Sequence, residues 1–147
     1  LPRDLFHVGR LDMDSEGLLL LTDDGQLAYR LMHPRYEVEK VYMVWVDGEP
    51  EESSLQVLRR GVPLEDGVTS PAEVEVLGKW RKGTVLEVAI REGRKRQIKR
   101  MFSYIGHPVR RLVRVRFAGI CLDGLGPGTW RRLDEEEVRG LKSSVGL

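Results

Sequence analysis

Hydrophobic positions change period several times along this chain, and each change marks a passage between strand and helix. Residues 18–22 form an apolar run of strand length. The Asp23-Asp24-Gly25 behind it carries an N-cap signal for a helix with Leu27, Ala28, Leu31 and Met32 on one face. Pro34 stops that helix, because proline has no N–H and bars its predecessor from the helical region. Residues 38–46 are β-branched and aromatic, with Lys40, Tyr42, Val44 and Val46 on one face and Val41, Met43 and Trp45 on the other. A strand apolar on both faces is expected inside a sheet. Residues 51–60 read as a helix closing on Gly61, and residues 72–77 and 84–91 as two strands of a hairpin joined through Gly78 to Gly83.

The next helix spans residues 94–105: Ile98, Met101, Phe102 and Ile105 follow the i, i+3, i+4, i+7 rule, and Gly106 and Pro108 end it. Residues 109–122 read as one or two strands, with Arg110, Arg114 and Arg116 interleaved among Leu112, Val113, Val115 and Phe117. A turn at residues 124–128 leads to a short acidic helix near residues 134–142. The pattern predicts an α+β fold with a mixed, mostly antiparallel central sheet and flanking helices.

Composition adds bounds rather than identity. With 147 residues, 41% hydrophobic and 32% charged, the chain suits a globular domain of one core or two lobes. No apolar run approaches the length that crosses a bilayer, and no charged segment with an apolar stretch opens the chain, so a cytoplasmic home is the default expectation. The single cysteine, Cys121, excludes an internal disulfide and reads as a buried filler. His7, His33 and His107 are too scattered for a zinc site. The opening Leu1-Pro2-Arg3-Asp4, without Met, is what a piece of a longer protein would show.

Charge changes the picture. Residues 91–116 hold ten Lys or Arg against the one acid Glu92, a local balance of +9, while the whole chain sums to +1, so the remainder carries −8. Such a cationic stretch is either a solvated basic face or a site for a polyanion such as nucleic acid. Some eighty residues earlier, Gly9-Arg10-Leu11-Asp12 offers a carboxylate on a turn. The run from Asp12 to Asp23 superficially fits a calcium loop, but Leu18-Leu19-Leu20-Leu21 falls where a polar ligand belongs and neither flank reads as a helix. A lone loop aspartate is commonly a turn or cap residue, and Asp12 with Asp14 is also a candidate acid pair.

Taken together, these segments resemble a known family. The run from Val8 to Gly25 looks like the catalytic-aspartate motif of the rRNA pseudouridine synthases that modify the small and large subunits. Lys40-Val41-Tyr42 resembles the family's tyrosine motif, and the run from Arg91 to Met101 its third, basic motif. Gly106-His107-Pro108-Val109, Leu112-Val113-Arg114 and the run from Gly126 to Leu133 resemble the segments that follow. The resemblance covers nearly the whole chain and is nearest the large-subunit type B enzymes.

The resemblance implies an isomerase that breaks the bond from ribose C1′ to uracil N1, turns the base and rejoins it through C5, with no cofactor and no metal. It assigns Asp12 as the essential aspartate, nucleophile or charge stabiliser, and Tyr42 as the tyrosine that packs on the target base and takes part in proton transfer. Lys99 falls on the basic position that pairs with the aspartate, keeping the charge of the more common Arg without its bidentate fork. The implied partner is ribosomal RNA, 23S in preference to 16S. Members of this type commonly carry an N-terminal S4-like RNA-binding domain, so residues 1–147 are expected to be the catalytic domain alone.

Elementary chemistry agrees with these roles. A uridine inside folded RNA must be unstacked before its glycosidic bond is reached, which calls for an apolar platform and cations around the extruded nucleotide. Tyr42 supplies the first type and Arg94, Arg96 and Arg100 the second, although Tyr42 also fits a core tyrosine on a central strand. Arg10 is a phosphate clamp or a local partner for Asp12 or Asp14. Gln97 is an RNA contact or, better, a cap that orients a neighbour. The competing class is a non-catalytic RNA-binding or ribosome-assembly module. The expected geometry is a cleft between two lobes of one continuous sheet, Asp12 on a loop at its floor and the basic helix along its rim. A monomer with no membrane contact is the default.

Overall fold

The computed structural model describes residues 4–147. Its main sheet is built on β4 (Lys40–Asp47), which pairs antiparallel with β8 (Gly83–Ile90) on one side and β9 (Val109–Phe117) on the other. β7 (Glu73–Trp80) extends the sheet beyond β8, and β10 (Ile120–Cys121) folds back on β9. β2 (Glu16–Gly17) joins the same sheet beside β9 and is its one parallel neighbour. β1 (Phe6–Val8) and β3 (Leu20–Thr22) form a separate antiparallel pair, as do β5 (Pro63–Leu64) and β6 (Gly67–Val68). The fold is therefore α+β with a mixed, mostly antiparallel sheet. The expectation of one continuous sheet is corrected: the described strands fall into one six-stranded and two two-stranded sheets.

Two hydrophobic clusters flank the cleft. In the first, α2 (Glu52–Arg60) and α3 (Gln97–Tyr104) cover one sheet face, where Leu58, Met101 and Phe102 meet Val44, Val46, Leu86 and Val88. All seven are fully buried, and each such side chain contributes about 1.5–3 kcal/mol by leaving water. In the second, α1 (Gly25–Met32) and α4 (Glu135–Ser144) close over the β1–β3 pair and Phe117 at the end of β9, burying Val8, Leu20, Leu27, Leu31 and Leu141.

Local signals explain most boundaries. Asp24 caps α1 by accepting from the Gln26 and Leu27 N–H groups, each at 3.1 Å, a contact worth about 1 kcal/mol. Past its end the chain makes a single 3-10 turn at Pro34–Tyr36. Arg30 in the last turn of α1 donates to the Val145 carbonyl at 2.8 Å and so ties α1 to the end of α4. α4 begins with a capping box between Asp134 and Glu137.

Several expectations shift. The strand expected at residues 18–22 is limited to β3, and it alternates: Leu18 and Leu20 are buried while Leu19 and Leu21 are exposed. The β7–β8 hairpin turns at Arg81-Lys82, and Gly78 lies inside β7 at a bulge rather than in the turn. Cys121 is half-buried on β10 rather than a core filler. The basic helix starts at Gln97, three residues later than expected, because Arg96 takes a left-handed conformation (φ 52°) and the Gln97 side chain accepts from the Arg94 N–H at 3.1 Å. Arg94, Lys95 and Arg96 thus belong to a turn that precedes α3.

Candidate active site

The segment between β1 and β3 carries Asp12 on a turn closed by the Ser15 N–H bonding to the Asp12 carbonyl at 2.9 Å. Its far end is attached to the sheet where β2 pairs with β9, Gly17 opposite Arg114. Only glycine fits there: its φ is +118°, and an added Cβ would lie 2.2 Å from the Arg114 carbonyl oxygen. On the sheet, Lys40 and Tyr42 stand two residues apart on β4 and therefore share a face, with Arg114 opposite Tyr42 on β9. Lys99 reaches in from α3.

Asp12 and the sheet residues line one cavity of about 240 Å³, whose wall includes Arg10, Asp12, Lys40, Tyr42, Arg114 and Phe117, and Lys99 stands beside Asp12. Lys99 Nζ stands 4.0 Å from Asp12 Oδ2, and its side chain is only 12% exposed, so the attraction between them is weakly screened. The ammonium lies closer still to Asp14, with which it forms its main ion pair, and Arg96 reaches the other Asp14 oxygen at 3.5 Å. The hydrogen bond and charge of Lys99 hold the Asp14 carboxyl below the usual carboxylate range. Lys99 is therefore shared between two carboxylates rather than reserved for Asp12.

Burial dominates the electrostatics on the sheet side. It pushes the Tyr42 phenol upward, opposed by the Arg114 guanidinium and reinforced by Asp12, so Tyr42 enters neutral solution as a neutral phenol. Burial also lowers Lys40, helped by Arg114 and opposed by Glu92, and the Lys40 ammonium donates to the Glu92 carbonyl at 3.3 Å.

The structure brings Asp12, Tyr42 and Lys99 together, and it sorts the expected RNA-contacting residues. Arg10 is exposed at the cavity mouth, and Asp14, its candidate local partner, is taken by Lys99 and Arg96 instead. Arg96 is half-exposed beside Asp14. Arg94 is a structural tie: its guanidinium donates to the Gly67 and Val68 carbonyls at 2.9 and 2.8 Å and pairs with Glu92 at 3.1 Å. Arg100 is occupied by a two-pronged contact with Asp66 at 3.0 and 3.1 Å. Gln97 is 3% exposed, bonded to Glu92 and to the Arg94 backbone, which corrects its reading as an RNA contact to that of an orienting cap. Arg114 carried no role in the sequence reading, yet it is 2% exposed and central. The signal was present: a period of two sets Arg114 on the face of the apolar Leu112, where an arginine is unexpected.

A family profile described as RNA pseudouridylate synthase matches residues 1–104. The chain belongs to the RNA pseudouridylate synthase family. It is 43% identical to ribosomal large subunit pseudouridine synthase B of Bacillus subtilis (strain 168), with 97% of this chain and 59% of that protein covered. It is 48% identical to ribosomal large subunit pseudouridine synthase E of Xanthomonas campestris pv. campestris, covering 95% of this chain and 82% of that one. An RNA pseudouridine synthase of Aquifex aeolicus (strain VF5) is 43% identical over the full chain and 59% of its own length. The chain thus spans about three-fifths of the Aquifex and Bacillus proteins. A crystal structure of a pseudouridylate synthase superposes with a TM-score of 0.87 at 37% identity, covering 94% of this chain and 60% of that one. A Cbf5-Nop10-Gar1 complex, at 18% identity and a TM-score of 0.56, shares the fold. Among the described residues no helix is long and apolar enough to cross a membrane.

Proposed function

We propose that residues 1–147 are the catalytic domain of an rRNA pseudouridine synthase that converts a uridine of the large-subunit RNA, in the cytoplasm. The observation that carries this reading is the convergence of Asp12 and Tyr42 from two separate segments on one cavity, with Lys99 of a third segment 4.0 Å from Asp12, in a member of the family. The choice of RNA rests on the relatives named for the large ribosomal subunit.

In this reading the target uridine is extruded into the cavity, where Tyr42 supplies the aromatic surface that replaces its stacking. Arg10 and Arg96, the exposed cations near the mouth, take the flanking phosphates. Asp12 answers the positive charge that develops at C1′ as the bond to N1 breaks, with the Lys99 ammonium 4.0 Å from its carboxylate to orient it. The base turns, C1′ bonds to C5, the hydrogen on C5 leaves as a proton, and N1 ends protonated, so the reaction is an isomerisation with no redox change. Tyr42, a neutral phenol with its oxygen facing Arg114 and Asp12, is the group placed for that proton traffic.

Loss of the C5 hydrogen supplies the assay. Large-subunit and small-subunit rRNA fragments labelled with tritium at uridine C5 are incubated with the protein, and released tritium is counted. Release from the large-subunit fragment supports the reading; release from the small-subunit fragment alone reassigns the target. Tight binding without release from either moves the protein to the RNA-binding class.

A further inference from the structure

Arg114 is a buried guanidinium with no carboxylate partner among the described residues. Its Nε donates to the Leu18 carbonyl at 2.9 Å and its Nη2 to the Gly9 carbonyl at 2.8 Å. These two carbonyls bracket the segment that carries Asp12, three residues after Gly9 and six before Leu18. The same guanidinium lies over the Phe117 ring at 4.9 Å and faces the Tyr42 phenol across the β4–β9 pair. Its backbone adds a third hold, since the Arg114 carbonyl accepts from the Leu18 N–H at 2.8 Å. A buried arginine is ordinarily paired with an acid. This one spends its donors on the loop.

We infer that Arg114 is the positioning residue of the site, one side chain that fixes the Asp12 loop to the sheet and sets the distance between Asp12 and Tyr42. The inference rests on the functional reading above for its kinetic consequence, but not for its geometry. A planar fork suits the task, because its donors point in fixed directions and reach two carbonyls at once, which an ammonium on a flexible stem does not. Its charge has a second effect on the phenol it faces. The charged groups around Tyr42 are Arg114 from β9, Asp12 from its loop, Lys40 from the same strand and, beyond Asp12, Lys99 from α3. Burial raises the Tyr42 phenol and Arg114 opposes that rise, so removing the guanidinium raises it further.

The test uses Arg114→Gln and Arg114→Lys with three readings: single-turnover tritium release, rRNA-fragment affinity, and fluorine NMR titration of difluorotyrosine placed at position 42, whose fluorines bring the phenol into an accessible pH range. Arg114→Gln should keep the RNA affinity, lose about 100-fold in rate, as a shift of about 1 Å in a reacting group does, and titrate at higher pH than the parent. Arg114→Lys should return the titration toward the parent without restoring the rate, since it replaces the charge but not the fork. Should Arg114→Gln fail to fold, the readings on Arg114→Lys decide alone. A parental rate in either variant, or a fluorine titration that Arg114→Gln leaves unmoved, overturns the inference. If the parent itself releases no tritium, the functional reading fails, and the titration still decides the coupling.

Discussion

Replacing Gly17 with alanine strikes the point where the Asp12 loop joins the sheet. An added Cβ would lie 2.2 Å from the Arg114 oxygen and 2.5 Å from its nitrogen, both backbone atoms of a strand held by β4. β2 must therefore yield. Moving the Cβ from 2.2 Å to ordinary contact at 3.4 Å displaces the segment by about 1.2 Å and opens the 2.8 Å bond from the Leu18 N–H to Arg114. Loss of a buried backbone bond costs about 1–3 kcal/mol, and a φ of +118° in alanine a similar amount. A total of about 2–6 kcal/mol lowers Tm by roughly 5–20 °C, yet falls within the stability of an ordinary domain, so the protein stays folded at room temperature.

The larger effect falls on catalysis. A displacement of about 1 Å in a reacting group costs about 100-fold in rate, whereas phosphate contacts made by exposed cations elsewhere leave RNA affinity little changed. Thermal melting, rRNA-fragment binding and single-turnover tritium release on Gly17→Ala separate the three quantities. A folded variant that turns over at the parental rate, or one whose rate falls only in proportion to its lost affinity, would refute the reasoning.

Asp14→Asn leaves Asp12 as the nearest carboxylate to Lys99, so its single-turnover rate is expected to stay close to the parent's, and a loss near 100-fold would transfer the essential role to Asp14. Phe102→Ala empties a fully buried site beneath the sheet and should cost about 3–5 kcal/mol in denaturant unfolding; a cost below 1 kcal/mol would contradict the packing described. Glu137, held down to about 2 by Arg131 and by the Asp134 N–H, lies below its ordinary 4.5, so its stabilisation is present above pH 4.5 and lost as pH falls toward 2. The Tm advantage of the parent over Glu137→Gln should accordingly shrink through that window, and an advantage that grows on acidification would refute the assignment.

The fold was most legible where one residue pattern had one physical solution. A strand apolar on both faces has to be central, and β4 lies between β8 and β9. Asp24 ahead of an apolar stripe had to cap a helix. The start of α3 was not legible, because the positions before Ile98 carry no apolar residue to mark a helical phase, and a left-handed Arg96 leaves no trace in composition. The partners of Arg94 and Arg100 were hidden for another reason: Asp66 lies 28 and 34 residues away in sequence, on the β5–β6 turn, and only the fold brings them together. The family resemblance singled out Asp12, Tyr42 and Lys99 as candidates, whereas the competition of Asp14 for Lys99 depends on how the turn is folded.

The most direct measurement is tritium release from large-subunit rRNA labelled at uridine C5, comparing the parent with Asp12→Asn at equal RNA occupancy. The account predicts release by the parent and none above background by the variant, with binding preserved. Release by Asp12→Asn at a rate near the parent's would contradict it.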